Sequence, residues 1–163
     1  MRGLILAILI GCGPKDAPIE AAACPTALQS LPASPQDASA QASQGKTWTN
    51  QEIRVEYVCR AASIGALNEG WKSEGLDAET RALKAWEVRH NARVTSRAMM
   101  ADADEVAALE ARDLAKYGHK DGPTFEWLVE KGKAEGLTGD ALYESIIASS
   151  QVTNAEVNKA MGL

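Results

Sequence analysis

Apolar residues recur every three to four positions along most of this chain, the period of helices that bury one face. Ile53, Tyr57, Ile64, Leu67 and Trp71 form one stripe, and Val106, Leu109, Leu114 and Tyr117 another. Phe125, Leu128 and Val129 make a third, and Leu142, Ile146 and Ile147 a fourth. End signals separate the stripes. Thr49-Asn50-Gln51-Glu52, and Thr153 with Glu156, have capping-box spacing, in which the hydroxyl takes an orphan amide and the carboxylate reaches back. Asp77, Asp102 with Glu105, and Thr138 are further N-cap candidates, and Pro123 suits a first turn. Gly75-Leu76 and Gly136-Leu137 have the form of Schellman ends, and Gly118 and Gly162 can stop two more helices. The pattern predicts helices over 50–73, 77–100, 102–117, 123–135, 139–150 and 154–161. Their short connections favour antiparallel neighbours. No segment couples strand alternation to a hairpin turn. The expected fold class is all-α: a small bundle of about five or six helices.

Ahead of the stripes the pattern changes twice. Met1-Arg2 precedes an apolar run that ends at Gly11-Cys12, too short for a spanning helix of about 20 residues. A positive start followed by a short apolar core is the layout of a secretory signal peptide. Its end, Leu9-Ile10-Gly11-Cys12, resembles the lipobox of bacterial lipoproteins. That resemblance implies a signal peptide over 1–11, cleavage before Cys12, a diacylglycerol on the Cys12 thiol, and acylation of the new amino terminus, with palmitate or a similar chain. Two or more acyl chains, at about 0.8 kcal/mol per buried methylene, hold a protein stably without any spanning segment. The implied location is a bacterial cell membrane, at its periplasmic face or in the outer membrane. Gly13, rather than Asp, after the cysteine leans toward the outer membrane. The resemblance covers this leader and says nothing of the rest.

From Gly13 to Lys46 apolar periodicity is lost. Pro14, Pro18, Pro25, Pro32 and Pro35 stand among Ala, Ser and Gln. Such a stretch buries too little to offset its ordering entropy, so 12–46 reads as a lipid-anchored cysteine and a flexible tether. As a coil it would reach about 30 Å. The helical domain is then 47–163.

Composition narrows the function classes. The 163 residues hold 17 Lys and Arg against 22 Asp and Glu, a net charge of −5. An acidic balance argues against a nucleic-acid partner, which calls for a basic footprint. Once Cys12 is lipidated, Cys24 and Cys59 remain, and export to an oxidising compartment favours a disulfide between them. No zinc set and no cofactor motif accompanies them.

The segment 86–97 carries most of the candidate chemistry. At about 100° per residue, Trp86, Arg89, His90, Arg93, Arg97 and Met100 share one sector of a helix. Two environments suit such arginines. One is a partly buried network with Asp113, which lies on the apolar side of the next helix. The other is a cationic groove in which Arg89, Arg93 and Arg97 bind an anionic ligand. Glu87-Val88-Arg89-His90 matches Glu-x-x-His, but a carboxylate-bridged metal pair needs a second copy, and the residue three before His119 is Lys116. The Gly-rich segment 118–125 places His119 two residues from Asp121, a pair able to do acid–base work. No nucleophile elbow, zinc-protease motif or phosphate-cradling loop is present.

These features point to a membrane-anchored envelope lipoprotein that acts as a non-enzymatic binding or structural module, with an envelope protein or glycan as partner. Two alternatives stand beside it: an envelope hydrolase working near His119 and Asp121, and an anionic-ligand binder using Arg89, Arg93 and Arg97.

Overall fold

The capping codes decide where the helices begin. A computed structural model describes residues 24–162, the side chains of Pro25, Asn154 and Met161 excepted. Cys12 and the expected leader lie outside the described residues. Thr49 closes a full capping box with Glu52 and opens α3 (Asn50–Ser73). Asp77 accepts from the Thr80 amide at the start of α4 (Ala78–Ala98). Asp102 accepts from the Asp104 and Glu105 amides at α5 (Ala103–Tyr117). Thr124, rather than Pro123, caps α6 (Phe125–Ala134), so the proline stands just outside the first turn. Thr138 precedes α7 (Gly139–Ser150) without a side-chain bond, and Thr153 with Glu156 boxes α8 (Asn154–Met161). The α3 and α6 ends are Schellman turns. The Leu76 amide donates to the Trp71 carbonyl, and the Leu137 amide to that of Gly132, each over about 3 Å.

Two further helices, α1 (Cys24–Leu28) and α2 (Pro35–Ser43), occupy the segment expected to be a flexible tether. Here the structure departs from the sequence reading. Ser34 accepts from the Asp37 amide and Pro35 sits in the first turn, so α2 has a complete start signal. Its apolar face is one small residue, Ala38, which is fully buried. A disulfide joins Cys24 to Cys59 of α3, and Arg60 donates to the Pro32 carbonyl at 3.2 Å. These long-range ties supply the ordering that local hydrophobicity does not.

α3 and α4 pack along each other and form the spine. α1 and α8 dock on α3, α2 and α7 on α4, and α6 on α7. The core has two parts. One gathers Cys24, Leu31, Ala38, Ile53, Val55, Cys59, Met99 and Val157, and the other Ala61, Ile64, Ala82, Ala85, Ile146 and Ile147. All described elements are helical, which matches the expected class.

α5 is the exception in packing. Its stripe was expected to face the core, yet Leu114 is 54% exposed and the one buried residue of the helix is Asp113. Charge, rather than apolar area, seats this helix.

A cationic and aromatic cleft

The face of α4 that carries Trp86, Arg93 and Arg97 grips the α5–α6 connection. Trp86 Nε1 donates to the Pro123 carbonyl at 2.9 Å, Arg93 Nη1 to that of Asp121 at 3.2 Å, and Arg97 Nη1 to that of Lys120 at 2.6 Å. Residues spaced by seven and four fall on one side of a helix, so three successive donors meet one loop. The loop comes so close that a Cβ on Gly122 would lie 2.2 Å from Arg93 Nη1.

Asp113 completes the attachment. It is 2% exposed. It accepts from Arg97 Nη2 at 2.5 Å and from Arg112 Nη2 at 3.1 Å, with Arg93 Nε 3.7 Å away. Burial pushes its pKa up, but the bonds from Arg97 and Arg112 outweigh that and hold the carboxyl below its ordinary range. The Arg–Asp network is therefore present, and it spans α4 and α5.

Arg89, Arg93 and Arg97 do not all line one cleft. Arg97 is 7% exposed and committed to Asp113 and the 118–123 loop, away from the cleft described next. It holds α5 and the loop to α4 and does not line that cleft. Arg93 bridges the two settings. Arg89 alone points wholly to the other side.

That side is a cleft of about 570 Å³. α4, α5 and α6 form its walls, with Tyr57 of α3 and Ser149 and Ser150 of α7 completing it. Its cations are Arg89, Arg93, Arg112, Lys116 and Lys131, and Asp113 is the one carboxylate lining it among the described residues. Lys131 is paired with Glu135 at 2.7 Å. No ion pair engages Arg89 or Lys116 among the described residues; each instead lies over a tyrosine ring. The Arg89 guanidinium sits 4.3 Å from the Tyr57 centroid, and its Nη1 is buried with no hydrogen-bond partner there. The aromatic part is Tyr57, Trp86, Tyr117 and Trp127. Tyr117 meets Trp127 edge to face at 5.0 Å.

His90 stacks on Trp86 at 5.0 Å, and its Nδ1 is buried without a partner among the described residues. Burial lowers the His90 pKa, Arg93 and Arg97 push the same way, and Asp121 opposes them. The lowered pKa favours the neutral imidazole, which can accept as well as donate.

No family model, curated protein or solved structure matches this chain.

His119 and Asp121 are not brought together. His119 is exposed. The Asp121 carboxylate faces Lys120 at 3.3 Å and Arg97 at 3.5 Å. Neither residue lines the cleft. The 118–123 segment is a clamped connector in which Gly122 donates to the His119 carbonyl. No group of three or more His, Cys, Asp or Glu able to hold a metal ion occurs among the described residues. No described helix is long and apolar enough to cross a membrane.

Half of the cleft escapes a reading centred on α4. Arg112 with Lys116, and Trp127 with Lys131, each stand one helical turn apart. That spacing is visible in the sequence, but nothing local says that the two helices face the same space.

Proposed function

We propose that this chain is a membrane-anchored bacterial envelope lipoprotein whose helical domain is a non-enzymatic binding module for an anionic ligand. The Leu9–Cys12 pattern supports the anchor. The observation that carries the binding role is the charge of the cleft: five cationic side chains against one carboxylate, in a chain of net charge −5. Cations gathered in a concave site focus their field and attract anions. Asp113 and the Glu135 partner of Lys131 do not neutralise them all, and Arg89 has no carboxylate at ion-pair distance among the described residues. Asp113 is saturated by arginines, and no carboxylate is bonded to His90 among the described residues, so the cleft presents no paired acid and base. A binder is therefore favoured over a hydrolase.

Two measurements test this reading on the detergent-solubilised protein. Cys12→Ser should abolish lipid labelling; normal cleavage and full membrane partition of that variant would remove the anchor. Calorimetric titration with citrate should show binding that weakens as salt rises, and Arg89→Ala with Arg112→Ala should reduce it at least tenfold. Salt-independent binding, or none, would remove the anion-binding role.

A further inference from the structure

We infer that the cleft takes a ring-bearing anion, namely a sugar carrying a phosphate or carboxylate, in preference to a bare inorganic anion. This rests on the anion-binding reading above and adds the chemistry of the rest of the ligand. Three features of the walls carry it.

The first is the aromatic lining. A site for a small anion needs donors alone. Tyr57 and Tyr117 lie under Arg89 and Lys116, and Trp86 holds the Pro123 carbonyl, which leaves Trp127 as the lining ring that no described cation overlies. Tyr117 and Trp127 form an edge-to-face pair on the lining they share with Lys116 and Lys131. The face of an aromatic ring is electronegative and attracts the polarised C–H edge of an apolar surface. A pyranose offers such a surface on one side while its hydroxyls point elsewhere.

The second is the supply of acceptors. Arg and Lys only donate, so they satisfy the anionic group and hydroxyl oxygens but not the O–H donors of a ligand. The neutral His90 ring has a buried nitrogen without a partner. The Ser149 and Ser150 hydroxyls both donate to the Ile146 carbonyl, which leaves their oxygens free to accept. A ligand with both an anion and hydroxyl donors fits this mixture. A hydrophobic anion would leave these acceptors unmet, at a cost in affinity.

The third is size. About 570 Å³ falls within the roughly 300–1,000 Å³ of small-molecule sites and far exceeds what one phosphate fills. The cations come from α4, α5 and α6, so an anion held by some of them leaves room in that volume for a ring.

The test is a comparison of probes on one protein, the solubilised full chain, by calorimetry and by fluorescence of the cleft tryptophans. The probes are glucose 6-phosphate, glucuronate, inorganic phosphate, acetate and glucose. The expected result is that glucose 6-phosphate binds at least tenfold tighter than phosphate, or glucuronate at least tenfold tighter than acetate, with glucose weaker than both sugar acids. Whichever sugar acid binds tighter names the anion the site prefers. Equal affinity for glucose 6-phosphate and phosphate, with glucuronate no better than acetate, would overturn the ring requirement and leave the anion-binding role standing. Glucose binding as tightly as the sugar acids would overturn both. Trp127→Ala should remove the preference for the sugar acid while leaving phosphate affinity within about twofold. These affinity ratios in the unmodified protein decide the matter even where that variant folds poorly.

Discussion

Asp113 gathers three guanidinium groups onto one buried carboxylate, and the arginines depend on it as much as it depends on them. Removing one member of a buried ion network leaves an uncompensated charge, which costs on the order of 3–5 kcal/mol. Asp113→Ala and Arg97→Ala should each lower stability on that scale. The double variant should lose clearly less than the sum, because the two share one interaction. A double-mutant cycle on urea unfolding checks this, and additive effects near zero would refute it. The pH dependence has a definite sign. The folded-state pKa of Asp113 lies below the ordinary value, so its contribution is present above the unfolded carboxyl's range and disappears as pH falls through the folded value. Glu56 behaves oppositely. It is 1% exposed, and burial raises its pKa against the pull of the Arg60 bond. The fold thus favours its protonated form, and its ionisation erodes stability as pH rises from the ordinary glutamate range through the raised value. Glu56→Gln should therefore gain on the wild type in melting temperature between pH 4 and pH 8. A difference that stays constant with pH would contradict this.

At the scale of elements, what the sequence makes legible is whatever is encoded within one turn of helix. The caps at Thr49, Asp77, Asp102 and Thr153 and the stops at Gly75 and Gly136 are local chemistry, and the helices begin and end beside them. Two misreadings have a common cause. α2 lacks an apolar stripe and is held by Ala38, the arm around it and the disulfide, so periodicity cannot find it despite the signal in Ser34-Pro35-Gln36-Asp37. α5 has an apolar stripe that stays partly exposed, because Asp113 turns the opposing charge of α4 into its docking point. In both, distant partners override the local pattern. The joint between α4 and the 118–123 loop offers a check. Gly122 has φ +92° and abuts the Arg93 guanidinium. Gly122→Ala adds backbone strain of about 1–3 kcal/mol and pushes Arg93 aside. A fall in melting temperature of several degrees is expected, together with weaker citrate binding. An unchanged melting temperature would show that the loop is not held as described.

At the scale of the molecule, the stabilising arm and the proposed binding site occupy different parts of the fold. Residues 24–46 cover Ile53, Val55, Cys59 and Met99, whereas the cleft takes no side chain from α1 or α2. If Cys12 carries lipid, as proposed, at most about 40 Å of extended chain separates it from Cys24. The disulfide then passes any pull on the anchor directly to α3 in the core. Its closed loop, with a sequence separation of 35, is worth about 4 kcal/mol on the chain-entropy model. Replacing Cys24 and Cys59 together by serine should lower unfolding stability by about 2–4 kcal/mol. Affinity for citrate at a temperature where the variant is folded should change less than twofold. Stability should fall while binding persists, because no side chain of α1 lines the cleft. An unchanged denaturation midpoint would mean that the arm docks without its covalent tie. Loss of binding in a fully folded variant would mean that the arm shapes the cleft from a distance, and the separation of the two roles would have to be abandoned.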